Sequence, residues 1–191
     1  MGKLTAMLTV FHPDELAYTG HQLRSHWIYE TFGLQGDAIV AFRGPCRVEL
    51  TEMVDREDVL AGEQIHAAEM LHLIAEHFDR DLTRAVLRQR LLICTIAERL
   101  SLSPQVPAPR REGDDLFIGE RKLTVSIATA SPVSTLIHVG INVDAAGAPV
   151  RACGLGEWDV DVDALAGDLL AAYAAEIEDI HLATCKVRGV Q

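Results

Sequence analysis

The stretch KLTVSIATASPVSTLIHVGINVD, from Lys122 to Asp144, alternates apolar with small or polar side chains on both sides of a Ser-Pro-Val-Ser turn. Successive residues of a strand face opposite sides of its sheet, so the pattern predicts an antiparallel hairpin. Read as unbroken strands, Leu123, Val125 and Ile127 share one face of the first strand, against Lys122, Thr124, Ser126 and Ala128. In the second, Ile137, Val139, Ile141 and Val143 oppose His138, Gly140 and Asn142. The small, polar face has two readings: a wet sheet surface, or the wall of a pocket. Gly140 favours the pocket, because glycine inside a strand marks close approach by a ligand or another backbone.

Working outward, Leu4–Val10 and Asp37–Phe42 read as strands, with RGPC as a tight turn and RVEL as a short return. Gly20–Thr31 reads as a helix, with Leu23, Trp27 and Ile28 at helical spacing. Asp55–Phe78 reads as the clearest helix: Leu60, Ile65, Ala68, Leu71, His72 and Ala75 form one stripe. Leu82–Leu100 fits a helix or, around LLICTIA, a buried strand. The proline-rich SPQVPAPRREGD is an irregular connection. DLFI is a short strand, Asp163–Ile180 a helix, and HLATCKVRGV a last strand or tail. The plan is α+β: a mixed or antiparallel sheet packed with helices.

The 191 residues predict one domain spanning 1–191. With 17 basic and 28 acidic residues the net charge is −11, which argues against a phosphate-backbone binder. No apolar run approaches the roughly 20 residues of a membrane span. The expectation is a cytoplasmic protein without nucleic-acid or membrane partners. Cys46, Cys94, Cys153 and Cys185 form no CxxC pair, so neither a zinc ribbon nor a disulfide framework is predicted.

Several segments resemble a known superfamily. GDDLFIGERKLTVSIAT resembles the strand–turn–strand of biotin and lipoate protein ligases, HVGINVD the strand that follows it there, and ACGL the Pro-Cys-Gly element of octanoyltransferases. AFRGPCRVEL stands where those enzymes carry a glycine-rich turn, and TGHQL where they have a short polar motif. The whole chain resembles the family known as domain of unknown function 366, grouped with the biotin/lipoate ligase superfamily. The resemblance is closest over 113–156 and weaker over 18–50. It implies a fold related to class II aminoacyl-tRNA synthetases and a pocket for a fatty-acid-like or biotin-like carboxylate or its adenylate. In that pocket Lys122 would contact the acyl carbonyl, Asp115 would match the ligase aspartate, His138, Gly140 and Asn142 would form the pocket strand, and Cys153 would be the nucleophile. Val125 or Ser126 stands where the ligases have a small residue. Tyr18, Gly20 and Gln22, with Arg43 and Gly44, would complete the binding site. The cofactor stays open: ATP belongs to the ligases, but RGPCR carries one glycine where their loop is glycine-rich.

The chemistry these residues could build is acyl transfer. A thiolate is favoured by nearby positive charge, so a Cys153–Lys122 pair would carry an acyl group through a thioester. Cys46, flanked by Arg43 and Arg47, is a second candidate nucleophile, and the two arginines could instead hold an anion. His66, Glu69, His72 and Glu76 suggest a metal-binding helix face, but no second pair accompanies them, and no metal is predicted. His72 and His77 could line the pocket. The expected function is an acyltransferase- or ligase-like enzyme acting on a small-molecule or carrier-bound acyl substrate. The alternative is a binding protein that keeps the pocket without the ATP loop. Exposed sheet edges leave a homodimer open.

Overall fold

The computed structural model describes residues 7–61 and 65–190. In chain order its elements are β1 (Leu8–His12), α1 (Trp27–Phe32), β2 (Ala38–Val48), α2 (Arg56–Ala61), β3 (Ile65–His77) and α3 (Leu82–Ser101). They continue with β4 (Arg110–Glu112), β5 (Asp115–Ile118), β6 (Arg121–Lys122), β7 (Thr124–Ala130), β8 (Thr135–Asp144) and α4 (Val162–Cys185). Five strands form one mixed sheet in the order β1-β2-β3-β8-β7, with β1 parallel to β2 and the other pairs antiparallel. β4, β5 and β6 form a small second sheet. The fold is α+β, as the alternating runs predict.

The largest departure from the sequence pattern is β3. The sequence pattern predicts a helix over Asp55–Phe78, and the whole of β3 falls within that span. Instead it is a central strand, buried from Met70 to His77. Leu71, Leu73 and Ala75 face the core under α3 and α4, while Met70 and Ile74 face the core on the other side. A strand buried on both faces loses the polar–apolar alternation that identifies strands. The Leu71 and Ala75 spacing that imitated a helical stripe is a by-product. Residues 62–64 of the expected helix lie outside the described residues, and among its described residues only α2 is helical.

β2 runs straight through the expected RGPC turn, with a register shift between Gly44 and Cys46. Residues 16–18 hold it open. Leu16 N–H donates to Arg43 O, Tyr18 N–H to Pro45 O and Arg47 N–H to Tyr18 O, each at 2.9 Å. Gly44 permits this approach: a Cβ there would lie 2.2 Å from the Leu16 carbonyl oxygen. The expected helix at 20–31 begins only at Trp27, because Gly20 and His26 have φ of 93° and 65°. His26 N–H is instead tied to the Glu76 carboxylate at 2.9 and 3.1 Å.

The ambiguous segment is helix α3. Asp81 caps it by accepting from Arg84 N–H. Ala85, Leu92, Ile93, Ile96 and Leu100 bury one stripe against the sheet. α4 continues through HLATC, which the sequence suggested as a strand or tail. The Tyr173 hydroxyl, 3.0 Å from His77 Nε2, fixes α4 to β3, and His77 Nδ1 lies 3.0 Å from Asp37 Oδ2. The expected first strand at Leu4–Val10 is β1 shifted toward His12, with residues 4–6 outside the described part.

Gly44→Ala should destabilise the fold by about 1–3 kcal/mol, the usual cost of forcing extra volume into a packed place. Chemical denaturation of the two proteins measures it; equal midpoints would mean residues 16–18 do not need that approach.

Candidate functional site

A cavity of about 220 Å³ opens on the sheet face opposite α3 and α4. Met70, Val125, His138 and Asn142 line its floor, with Tyr18 on one side and Asp115 and Lys122 on the other. The segments around 52–55 and 148–152 border its mouth. Residues 52–55 and 148–151 carry no motif that marks them as part of a site.

Lys122 ends β6, and its position is fixed through the backbone. Lys122 N–H donates to Arg151 O, and Cys153 N–H donates to Lys122 O. Lys122 Nζ lies 2.9 Å from Asp115 Oδ2, and both side chains are about three-quarters buried. Burial raises the Asp115 pKa, only partly countered by the Lys122 and Arg90 cations. The cavity therefore holds a preformed ion pair, whose ammonium can turn to a ligand carbonyl or carboxylate.

Between β6 and β7 the alternation is broken at Leu123, whose carbonyl accepts from Asn142 N–H. The break moves β7 by one face relative to the expected pattern. Val125 pairs with Gly140 and Ile127 with His138, so these apolar residues face the cavity. Thr124, Ser126 and Ala128 pair with Ile141, Val139 and Ile137 on the α3 side. Ser126 touches the edge of the cavity, but its hydroxyl donates to Asp114 O at 2.9 Å and accepts from Gln89 Nε2 at 2.6 Å.

His138 and Asn142 reach the cavity as expected, and both are 4% exposed. Tyr18 stacks on His138 with centroids 3.8 Å apart and planes 11° apart. His138 Nε2 lies 3.1 Å from His72 Nδ1, and His72 Nε2 lies 3.2 Å from Gly44 O. Burial lowers the His72 pKa to about 3. Burial, with His72 beside it, also holds His138 well below the usual histidine range. Asn142 Nδ2 donates to Lys122 O at 3.4 Å, and its Oδ1 is buried without a partner. Gly140 serves packing and not a ligand: a Cβ there would meet Met70 Sδ at 2.8 Å and Val125 Cγ2 at 3.2 Å.

The remaining expected site residues lie elsewhere. Cys153 is fully buried in the core beneath the sheet, and Ala152 takes the cavity position beside Lys122. The Cys153 thiol lies 3.7 and 3.8 Å from the Arg121 and Lys122 carbonyls, and burial raises its pKa. Cys46 is fully buried too, with burial pushing its pKa up to about 12. Neither thiol has the exposed, cation-rich setting that makes a nucleophile. Arg43 is bound to Glu69 and to Asp163 at the start of α4, and Arg47 to Glu49. Gln22 caps its own loop, accepting from Thr19 N–H and donating to Ala17 O. Gly20 supplies a left-handed turn against Glu52. His77 is committed to Asp37 and Tyr173. Because β3 is a strand, His66, Glu69, His72 and Glu76 do not share a helix face. Among the described residues no three His, Cys, Asp or Glu side chains gather as a metal site. No helix among them is long and apolar enough to cross a membrane.

The family model of the domain of unknown function DUF366 matches residues 7–188. This chain belongs to that family. An uncharacterised protein of Methanocaldococcus jannaschii is 37% identical over 182 residues, 92% of this chain and 81% of its own length. A protein of unknown function from Pyrococcus horikoshi superposes with a TM-score of 0.89 at 39% identity, covering 96% of this chain and all of the other. A putative lipoate protein ligase from T. acidophilum with bound lipoic acid gives a TM-score of 0.57 at 12% identity, over 91% and 87% of the two chains. A biotin protein ligase mutant from Aquifex aeolicus in complex with biotin gives 0.59 at 14%, over 92% and 72%. These last two establish a fold shared with lipoate and biotin ligases.

With native protein at pH 8, iodoacetamide should label exposed Cys185 long before Cys46 and Cys153. Peptide mass mapping over time checks this; equally fast labelling of Cys153 would mean that its thiol is reachable.

Proposed function

We propose that the cavity holds a small carboxylic acid, or its activated acyl form, with the carbonyl group against Lys122 Nζ. The carrying observation is the Lys122–Asp115 pair on the wall of a cavity whose floor includes Met70 and Val125, on a ligase-like fold. An ammonium that is three-quarters buried gains more from an acyl oxygen than it would in water. The ligands named for the structural neighbours, lipoic acid and biotin, are acids of this size class. The setting of Cys153 favours chemistry without a cysteine thioester.

A second reading, binding without turnover, is favoured by one observation. Residues 43–48, where the ligases carry a glycine-rich turn, are here part of β2. Pyrophosphate release separates the two: an acid-dependent release of pyrophosphate from ATP supports a ligase-like reaction, and binding without release supports the second reading.

The test of the site itself is calorimetry with a panel of straight-chain acids, lipoate and biotin. At least one should bind, and Lys122→Met should weaken that binding about tenfold or more, the value of a charge-assisted hydrogen bond. Cys153→Ala should leave it unchanged. No binding by any acid, or equal binding by Lys122→Met, would overturn the reading.

A further inference from the structure

His72 and His138 form a buried pair that the reading above leaves unused, and its hydrogen-bond chain can be followed from one end to the other. Gly44 O is a carbonyl oxygen and can only accept. His72 Nε2, 3.2 Å away, must therefore carry a proton. In a neutral imidazole the other nitrogen is then a bare acceptor, so His72 Nδ1 accepts. His138 Nε2, 3.1 Å from it, must be the donor. The same rule, applied once more, leaves His138 Nδ1 as a lone-pair acceptor.

That atom has no hydrogen-bond partner among the described residues. The one buried side-chain oxygen or nitrogen without a partner among them is Asn142 Oδ1, sealed from solvent. His138 Nδ1 is therefore not sealed, and His138 lines the cavity. Its ring cannot turn away: Tyr18 stacks on its face, and reversing the ring would break the bond to His72. Both rings are held neutral by burial, which makes the pair a poor proton acceptor and a fixed hydrogen-bond acceptor.

We infer that the cavity recognises a carboxylic acid whose far end carries a hydroxyl group, donated to His138 Nδ1. The inference rests on the reading of Lys122 as the carboxyl contact. Lys122 O is beside Asn142, and the backbone of His138 lies four residues along β8 from that of Asn142, about 13 Å at the rise of a strand. Between them the floor is apolar, formed by Met70 and Val125 over Gly140. This arrangement suits a short apolar chain with a polar group at each end. A plain fatty acid would press a methyl group on an imidazole nitrogen and strip its water without replacing the hydrogen bond.

The experiment compares straight-chain acids of four to ten carbons with their ω-hydroxy counterparts by calorimetry at pH 7. At the best-fitting length the hydroxy acid should bind about tenfold tighter than the plain acid. In His138→Phe, which keeps an aromatic ring under Tyr18, the two should converge. A nitrogen-15 spectrum of the wild-type histidines should show His138 protonated at Nε2 and bare at Nδ1, with the Nδ1 resonance moving when the hydroxy acid binds. This readout needs no folded variant. Equal or tighter binding of the plain acids at every length would overturn the inference while leaving the Lys122 reading intact. So would an Nδ1 resonance that the hydroxy acid does not move. If neither series binds, the Lys122 reading and this inference fall together.

Discussion

From Met70 to His77 the strand β3 has no exposed face, yet it carries three residues that cannot be buried without partners: His72, Glu76 and His77. Burial of an unpaired polar group costs several kcal/mol, so each of them binds a different part of the chain. His72 reaches the Gly44 carbonyl of β2 and His138 of β8. Glu76 accepts from His26 N–H before α1 and from the Ser134 hydroxyl in the β7–β8 turn. His77 joins Asp37 and Tyr173 of α4. The central strand is thereby the node through which the loop before α1, the hairpin and the last helix are held in place.

The cavity follows from the same constraint. His138 is oriented by His72, so its presentation to a ligand depends on a residue of β3 and a carbonyl of β2. Lys122 is oriented from the other side by Asp115 and by the strand-like pairing with residues 151–153. Neither residue would be fixed by its own strand alone. The arrangement holds these polar atoms in fixed positions.

His138 and Asn142 lie on one continuous strand, β8, whereas Lys122 and Asp115 come from β6 and β5 and Tyr18 from the loop before α1. Lys122, His138 and Asn142 reach the cavity as the hairpin and the ligase resemblance imply, and so do Tyr18 and Asp115. Ser126 was assigned to the wrong face because the break at Leu123 resets the alternation, and a local irregularity has no signature in a two-residue period. Arg43, Gln22 and Gly44 proved to be structural, since their partners, Asp163, Ala17 and Leu16, come from packing that periodicity does not encode. Cys153 does lie beside Lys122 in space, through the bond from its N–H to Lys122 O. The facing of its thiol was not readable, because a turn residue can point to either side of a sheet.

By itself the sequence determined the α+β class, the β7–β8 hairpin, helix α4 and the polar residues along β8, because each rests on local periodicity or on a motif. The tertiary structure decided that residues 65–77 are a strand, that residues 43–48 continue one, and that the Cys153 thiol is closed off in the core. A segment of good helix formers becomes a strand when both its faces and both its edges are claimed by neighbours, since burial and sheet hydrogen bonds outweigh a propensity of a few tenths of a kcal/mol per residue.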